Sequence, residues 1–120
     1  MRAGLTHRRA IIVGAGQAGL AVAAALIGLG FRPQQEFVVV DAAPDRQRSW
    51  ASRWHWMRLL SDARHSTLPV RPLPVDPHEH PRADEIANYL DLVQHTLGVE
   101  PFWGLRVVGV ERRGHGSVLQ

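Results

Sequence analysis

An α/β fold built on a parallel sheet is predicted by three observations near the start of the chain. Ala10–Val13 and Phe37–Val40 are continuous apolar runs rich in β-branched residues, which is typical of strands covered on both faces. Between them, Gln17–Leu29 consists of good helix formers and is followed by glycine. Strand, helix and strand fit within Ala10–Asp41, which is about the length of one βαβ unit.

The second half of the chain predicts further elements of the same fold. A helix follows Pro81 and ends at Gly98, and Glu100–Trp103 fits a third parallel strand. Arg106–Glu111 and Ser117–Leu119 flank a glycine-containing turn and predict a β-hairpin, the start of a β-meander. We therefore expect a Rossmann-like βαβ domain whose parallel sheet has the order third, first, second or its Rossmann equivalent.

The region between the second strand and the later helix is less regular. Asp45–Asp62 is rich in Trp and Arg and predicts a short helix or ordered loop, followed by an extended stretch at residues 57–60. His65–Pro81 contains five prolines and predicts a long irregular connection. The apolar face expected on the later helix consists of Ile86, Leu90, Val93 and Leu97.

Length and composition restrict the chain to one globular domain. Its 120 residues, of which 45% are hydrophobic and 21% charged, suit a single modest core. The chain has no cysteine, which excludes disulfides, thiolate metal sites and cysteine nucleophiles. It also has no lysine, which excludes catalysis by a lysine amine and a P-loop lysine.

Charge and hydropathy argue against nucleic acid and membrane as partners. The net charge is +3, but the arginines are spread from Arg2 to Arg113 among eleven acids rather than gathered in a patch. Ala10–Phe31 resembles a signal peptide or a membrane span because Gln17 is its one polar side chain, yet five glycines interrupt it. We therefore predict a cytoplasmic protein, and a mature chain starting near Ala25 would instead indicate a signal.

The chemistry is predicted by a glycine motif that directly follows the first strand and opens the first helix. The motif is G-x-G-x-x-G, formed by Gly14, Ala15, Gly16, Gln17, Ala18 and Gly19. Its first glycine makes the tight turn, its second lets a pyrophosphate approach the backbone, and its third lets the helix pack closely on the strand. The N–H groups of Ala15 to Ala18, at the start of the helix, would bind the diphosphate, because the helix dipole favours an anion there.

An acid at the end of the second strand completes the dinucleotide site. Asp41 stands 22 residues after Gly19, the spacing at which a carboxylate reaches a ribose hydroxyl pair. A turn rich in glycine with an unrelated surface aspartate would leave the glycine spacing unexplained. Strand, glycines, helix, second strand and acid therefore together predict a dinucleotide-binding site.

Several short motifs extend this prediction to a family. The chain resembles the N-terminal FAD-binding region of flavin-containing monooxygenase-like FAD/NAD(P)-dependent oxidoreductases. The residues that carry the resemblance are Gly14–Leu20, Asp41, Ser49-Trp50, Arg53-Trp54, Arg58-Leu59 and Leu68-Pro69. The resemblance covers Arg9 to about Arg113, and the Ser-Trp, Arg-Trp and Arg-Leu pairs are its more specific part.

The resemblance implies FAD as the cofactor and assigns roles to named positions. It implies that the three motif glycines hold the FAD diphosphate and that Asp41 holds the adenosine ribose. It further implies that Trp50 lies near the flavin, with Arg53 and Trp54 shaping the adjacent pocket. The alternative for the tryptophans, Trp56 included, is a purely structural role in which they pack on the sheet.

The chain departs from the family pattern at four positions. The family usually has a glycine pair where this chain has Gln47-Arg48, so Arg48 is expected to interfere if the backbone there must approach the cofactor. Asp41 replaces the usual glutamate and is one methylene shorter. Asp62 and Val70 replace a common proline and glycine.

The resemblance implies an FAD-binding segment of an NADPH-dependent monooxygenase-like oxidoreductase. We expect residues 1–120 to form one partial FAD-binding domain, without the second domain that binds NADPH, and to be inactive alone. One alternative is a standalone module that binds FAD or NAD(P) without catalysis, and another is a truncated remnant without function. The catalytic residues stay unknown.

Two other patterns predict no chemistry. His78-Glu79-His80 brings two imidazoles together without a third ligand at a suitable spacing, so we predict no metal site. The serines lack a nucleophile elbow, which gives no support to hydrolase chemistry.

Overall fold

The computed structural model describes residues 7–46, 48, 57–59 and 62–120. Within them the chain forms an α/β fold with three short helices and two small sheets. The elements are β1 (Ala10–Val13), α1 (Gln17–Gly28), β2 (Phe37–Asp41), α2 (Ala63–Ser66), α3 (Ala83–Leu97), β3 (Phe102–Trp103), β4 (Val110–Arg113) and β5 (Gly116–Leu119).

The main sheet is parallel, as the βαβ pattern predicts. β1 pairs with β2, with Ile12 opposite Val39, and β2 pairs with β3, with Val40 opposite Phe102. The strand order is therefore β1-β2-β3 with the second strand in the centre. This is the Rossmann alternative, and the order third, first, second is wrong because β3 pairs with β2 rather than with β1.

The prediction that both strands are covered on both faces holds for only one of them. In β2, Phe37, Val39 and Val40 are buried. In β1, Ile12 is buried, whereas Val13 is 58% exposed. The reason is position, because β1 lies at the edge of the described sheet while β2 has a strand on each side.

Helix α1 lies between two hydrophobic clusters. Its residue Ala23 packs with Ile12, Phe37 and Val39 of the sheet, and its residue Leu20 packs with α2 and α3. Ala23 and Leu20 are fully buried. The helix has 12 residues, and none of the described helices is long and apolar enough to cross a membrane.

Helix α3 confirms the predicted helix between Pro81 and Gly98. The N–H of Arg82 donates to the Glu85 carboxylate over 3.0 Å at its start, and Gly98 ends it in the left-handed conformation with φ +72°. Of the predicted apolar face, Ile86, Leu90 and Val93 are buried and Leu97 is partly buried.

The connection between β2 and α3 contains a helical turn that the sequence pattern misses. In α2, Asp62 accepts from the His65 N–H over 3.1 Å and so caps the turn. Four residues are too few to show a hydrophobic period, which is why pattern reasoning overlooks them. Of the predicted extended stretch at residues 57–60, the structure describes 57–59, where Arg58 forms an antiparallel bridge with Arg82 and the Leu59 N–H donates to the Pro81 carbonyl over 2.8 Å; residue 60 lies outside the described residues.

The predicted β-hairpin is formed by β4 and β5. Its strands are antiparallel, with Glu111 opposite Val118, and are joined by Gly114 and His115. Gly114 has φ +60°, as the first position of a type II′ turn requires. The first strand spans Val110–Arg113 rather than Arg106–Glu111, so it begins later and ends two residues closer to the turn than predicted.

The hydroxyl of Tyr89 stabilises the irregular connection from within the core. It accepts from the Leu68 N–H over 2.8 Å and donates to the Arg71 carbonyl over 2.5 Å, while Tyr89 is 1% exposed. These bonds satisfy a backbone donor and a backbone acceptor beside the cluster that contains Leu20. A proline-rich segment that forms few regular bonds of its own is thereby held on α3.

We expect Tyr89→Phe to lower the free energy of unfolding by about 1–3 kcal/mol, because it leaves the buried Leu68 N–H without its acceptor. Urea denaturation measures the change. The exposed-face substitution Asn88→Ala on the same helix is the control and should shift stability far less. A Tyr89→Phe protein as stable as the wild type would contradict the role given to the hydroxyl.

Candidate dinucleotide site

The turn out of β1 depends on Gly14. Its φ is +104°, in the left-handed region that favours glycine, and its N–H donates to the Val40 carbonyl at the end of β2 over 2.7 Å. This bond ties the glycine loop to the strand that carries Asp41. The first glycine therefore makes the tight turn that the motif predicts.

Gly19 brings α1 against the loop. A Cβ built at this position would lie 1.9 Å from the Gly14 carbonyl oxygen and 3.3 Å from the Ile12 Cγ2. No side chain tolerates the first distance, so helix and strand can approach this closely only with glycine here. The third glycine thus has the packing role expected from its spacing.

Gly16 stands at the mouth of the site. It is the residue before α1, with φ −82° and ψ −164°, and a Cβ built on it would meet no atom within 4 Å. Neither its backbone conformation nor the space around it requires glycine for folding. The open space beside it is what a ligand approaching the backbone would need.

The start of α1 offers donors next to that space. The first N–H groups of a helix have no acceptor within the helix, and the first intrahelical bond here runs from the Leu20 N–H to the Gly16 carbonyl. The donors before it belong to Gln17, Ala18 and Gly19. The Gln17 side chain donates to the Ser66 carbonyl over 2.8 Å and fixes α2 beside the helix start.

Asp41 lies against the glycine loop and is held by two backbone groups. Its Oδ2 accepts from the Ala15 N–H and its Oδ1 accepts from the Ala43 N–H, each over 2.7 Å. A carboxylate oxygen has two acceptor sites, so each oxygen can accept one more bond. The Ala15 N–H, one of the donors predicted for the diphosphate, is engaged by Asp41 in this arrangement.

Arg48 is a candidate functional residue, and the position of its side chain was not predicted from the sequence. Its guanidinium is buried and donates through Nε to the Ala15 carbonyl over 2.5 Å. The pKa of the Arg48 guanidinium lies below its ordinary value because burial disfavours the charged form. The nearby carboxylates of Asp91 and Asp41 oppose this shift. The sequence signal was the departure from a glycine pair, but it did not indicate where the side chain would lie.

The proposed flavin-side residues Trp50, Arg53 and Trp54 lie outside the described residues, as do Gln47 and Trp56. Their predicted roles stay predictions. Within the described part of the chain, no cluster of three or more His, Cys, Asp or Glu side chains could hold a metal ion. His80 of the His-Glu-His pattern contacts the Leu59 carbonyl through Nδ1 over 2.8 Å.

Comparison with known proteins identifies relatives of this chain. No family model matches the chain. The indole-3-pyruvate monooxygenase YUCCA4 of rice (Oryza sativa subsp. japonica) is 36% identical to it over 106 residues, covering 88% of this chain and 23% of that protein. This chain is homologous to part of a flavin monooxygenase. It spans about a quarter of the length of the curated relative, and the predicted resemblance is confirmed.

Solved structures support the same conclusion. A flavin-containing monooxygenase from Stenotrophomonas maltophilia superposes with a TM-score of 0.72 at 26% identity, over 92% of this chain and 32% of that one. The bacillithiol disulfide reductase Bdr of Staphylococcus aureus gives a TM-score of 0.82 at 16% identity, over 97% of this chain and 34% of that one. At that identity the second match shows the shared fold alone.

We expect Gly19→Ala to lower the free energy of unfolding by about 1–3 kcal/mol, because its Cβ would overlap the Gly14 carbonyl and push α1 off the strand. Gly28→Ala is the matched control: it lies in the same helix, has open space around it, and should be neutral or stabilising by up to about 1 kcal/mol. Urea denaturation of both variants is the measurement. If the two variants were equally stable, the close approach of Gly19 to the Gly14 carbonyl would be refuted.

Proposed function

We propose that this chain is the FAD-binding part of an NAD(P)H-dependent, monooxygenase-like flavoprotein oxidoreductase. The observation that carries the proposal is the open space at Gly16, which lies at the start of α1 and follows Ala15, whose N–H donates to the Asp41 carboxylate. A diphosphate needs backbone donors without a side chain in the way, and an adjoining ribose needs an acceptor. Homology to part of a monooxygenase and similarity to a flavin-containing monooxygenase of known structure support FAD as the dinucleotide.

In this proposal, different residues bind the diphosphate, the ribose and the flavin of the cofactor. The N–H groups of Gly16, Gln17 and Ala18 bind the diphosphate at the positive end of the helix dipole. The remaining acceptor sites of Asp41 bind the ribose hydroxyls, and the bonds from Ala15 and Ala43 keep the carboxylate in place. As the resemblance implies, Trp50 would lie near the flavin, with Arg53 and Trp54 shaping the adjacent pocket.

The proposed contribution of this chain is binding and orientation. FAD, when bound, supplies a ring that accepts a hydride and reacts with oxygen, so the protein's task is to position it and shield it. A donor site for NADPH and a shielded cavity need surfaces besides the glycine loop and Asp41. We therefore propose that the segment does not oxidise NADPH alone, and that the matching partner surfaces belong to the rest of a larger enzyme.

Gly16→Asp should strongly weaken FAD binding without unfolding the protein. The new carboxylate would stand where the diphosphate binds, and we expect the Kd to rise about a hundredfold or more, equivalent to about 3 kcal/mol. Aspartate suits the extended backbone before a helix, so the melting temperature should stay equal or rise slightly. A titration followed by flavin fluorescence and a thermal melt measure the two effects.

The matched control for this charge is Gly109→Asp, which adds the same carboxylate outside the loop, where a Cβ has ordinary contacts. It should bind FAD like the wild type. A wild-type protein that is folded but does not bind FAD would refute the proposal. Binding of NAD(P) in preference to FAD would favour a different dinucleotide module.

The isolated chain loaded with FAD should oxidise NADPH no faster than free FAD does. The physical reason is that the proposed site binds a diphosphate and a ribose, and the sequence has no second glycine motif for the nicotinamide nucleotide. Absorbance at the NADPH band, with free FAD as the reference, measures the rate. Turnover well above that reference would contradict the proposal that this segment does not oxidise NADPH alone.

A further inference from the structure

Arg48 is a charged residue whose burial and backbone conformation are both unfavourable. Its side chain is buried at 4% exposure and its backbone φ is +60°, in the left-handed region that favours glycine. Removing a guanidinium from water is unfavourable unless its N–H groups are bonded. The contacts of Arg48 must therefore offset both the burial and the backbone strain.

Those contacts join the glycine loop to the rest of the domain. Besides its bond to the Ala15 carbonyl, the guanidinium donates through Nη1 to the Arg46 carbonyl over 2.5 Å and through Nη2 to Gln94 Oε1 over 2.6 Å. Its central carbon lies 5.2 Å from the centre of the Trp103 ring. Loop, α3 and β3 thus meet at one side chain.

The bond to Ala15 also sets the direction of the next N–H group. The Ala15 carbonyl and the Gly16 N–H belong to one planar trans peptide and point in opposite directions. With the oxygen bound by Arg48, the Gly16 N–H is directed away from Arg48. The preceding peptide is fixed as well, because its N–H donates to Asp41 and its oxygen packs on Gly19.

We propose that Arg48 is a positioning residue for the diphosphate: it holds the Ala15–Gly16 peptide so that the Gly16 N–H is aimed at the ligand before binding. This inference rests on the proposed FAD site and adds a residue to it. Preorganised donors bind more tightly because no ordering cost is left to the moment of binding. A glycine pair at this position would have no side chain to bond the loop, whereas Arg48 holds the loop through its guanidinium.

The test compares FAD affinity in variants that remove the guanidinium. Arg48→Gly suits the positive φ, and Arg48→Met keeps most of the buried volume, so at least one of them is expected to fold. In both, the Kd for FAD should rise about tenfold to a hundredfold, the size expected for a charge-assisted hydrogen bond. The control Arg112→Met removes the same charge from an exposed side chain of the β-hairpin and should leave the Kd unchanged.

A merely structural role is separated by rescue and by thermal melts. Each Kd is measured at a temperature where that variant is folded. Millimolar guanidinium, far below denaturing concentrations, should restore affinity in Arg48→Gly, which has the space for it, and not in Arg48→Met, whose side chain fills that space. Weaker binding without rescue in Arg48→Gly would indicate structure alone and overturn the inference.

The remaining outcomes distinguish this inference from the proposed function. If the wild type binds FAD and both Arg48 variants bind it equally well, the positioning role is wrong and the FAD site stands. If the folded wild type does not bind FAD, the proposed function fails and this inference fails with it. Rescue of Arg48→Gly by guanidinium would support both.

Discussion

The close approach of α1 to the glycine loop is the constraint on which the rest of the structure depends. Because Gly19 has no Cβ, the helix packs directly on the Gly14 carbonyl and on Ile12. That contact sets the distance between helix and sheet, brings Ala23 onto the same strands, and turns Leu20 toward α3. It also places the start of the helix beside Asp41, so the packing of the core and the geometry of the site have one cause.

The parts that sequence could predict are those determined by local chemistry. The positive φ of Gly14, the absent side chain at Gly19 and the acid at the end of β2 each follow from what a residue type can do at its position. The same is true of Gly98, which ends α3 in the left-handed conformation. These features need no knowledge of distant residues.

The parts that sequence could not predict depend on contacts between distant segments. The exposure of Val13 follows from the edge position of β1, which the apolar run does not reveal. The two bonds to Asp41 depend on where the chain turns after β2. An arginine in an irregular segment is ordinarily expected in solvent, and the burial of Arg48 becomes visible only once Ala15 and Gln94 are placed around it.

The position of α1 between the two clusters has a consequence for cooperativity. A helix shared by two clusters cannot detach from one without exposing apolar surface of the other, so the opening of either cluster is coupled to the opening of both. A ligand bound at the start of α1 would therefore suppress the opening of the whole domain rather than of its loop alone. Amide protons of Val93, in the cluster with α3, and of Val39, in the cluster on the sheet, should then exchange with solvent more slowly together.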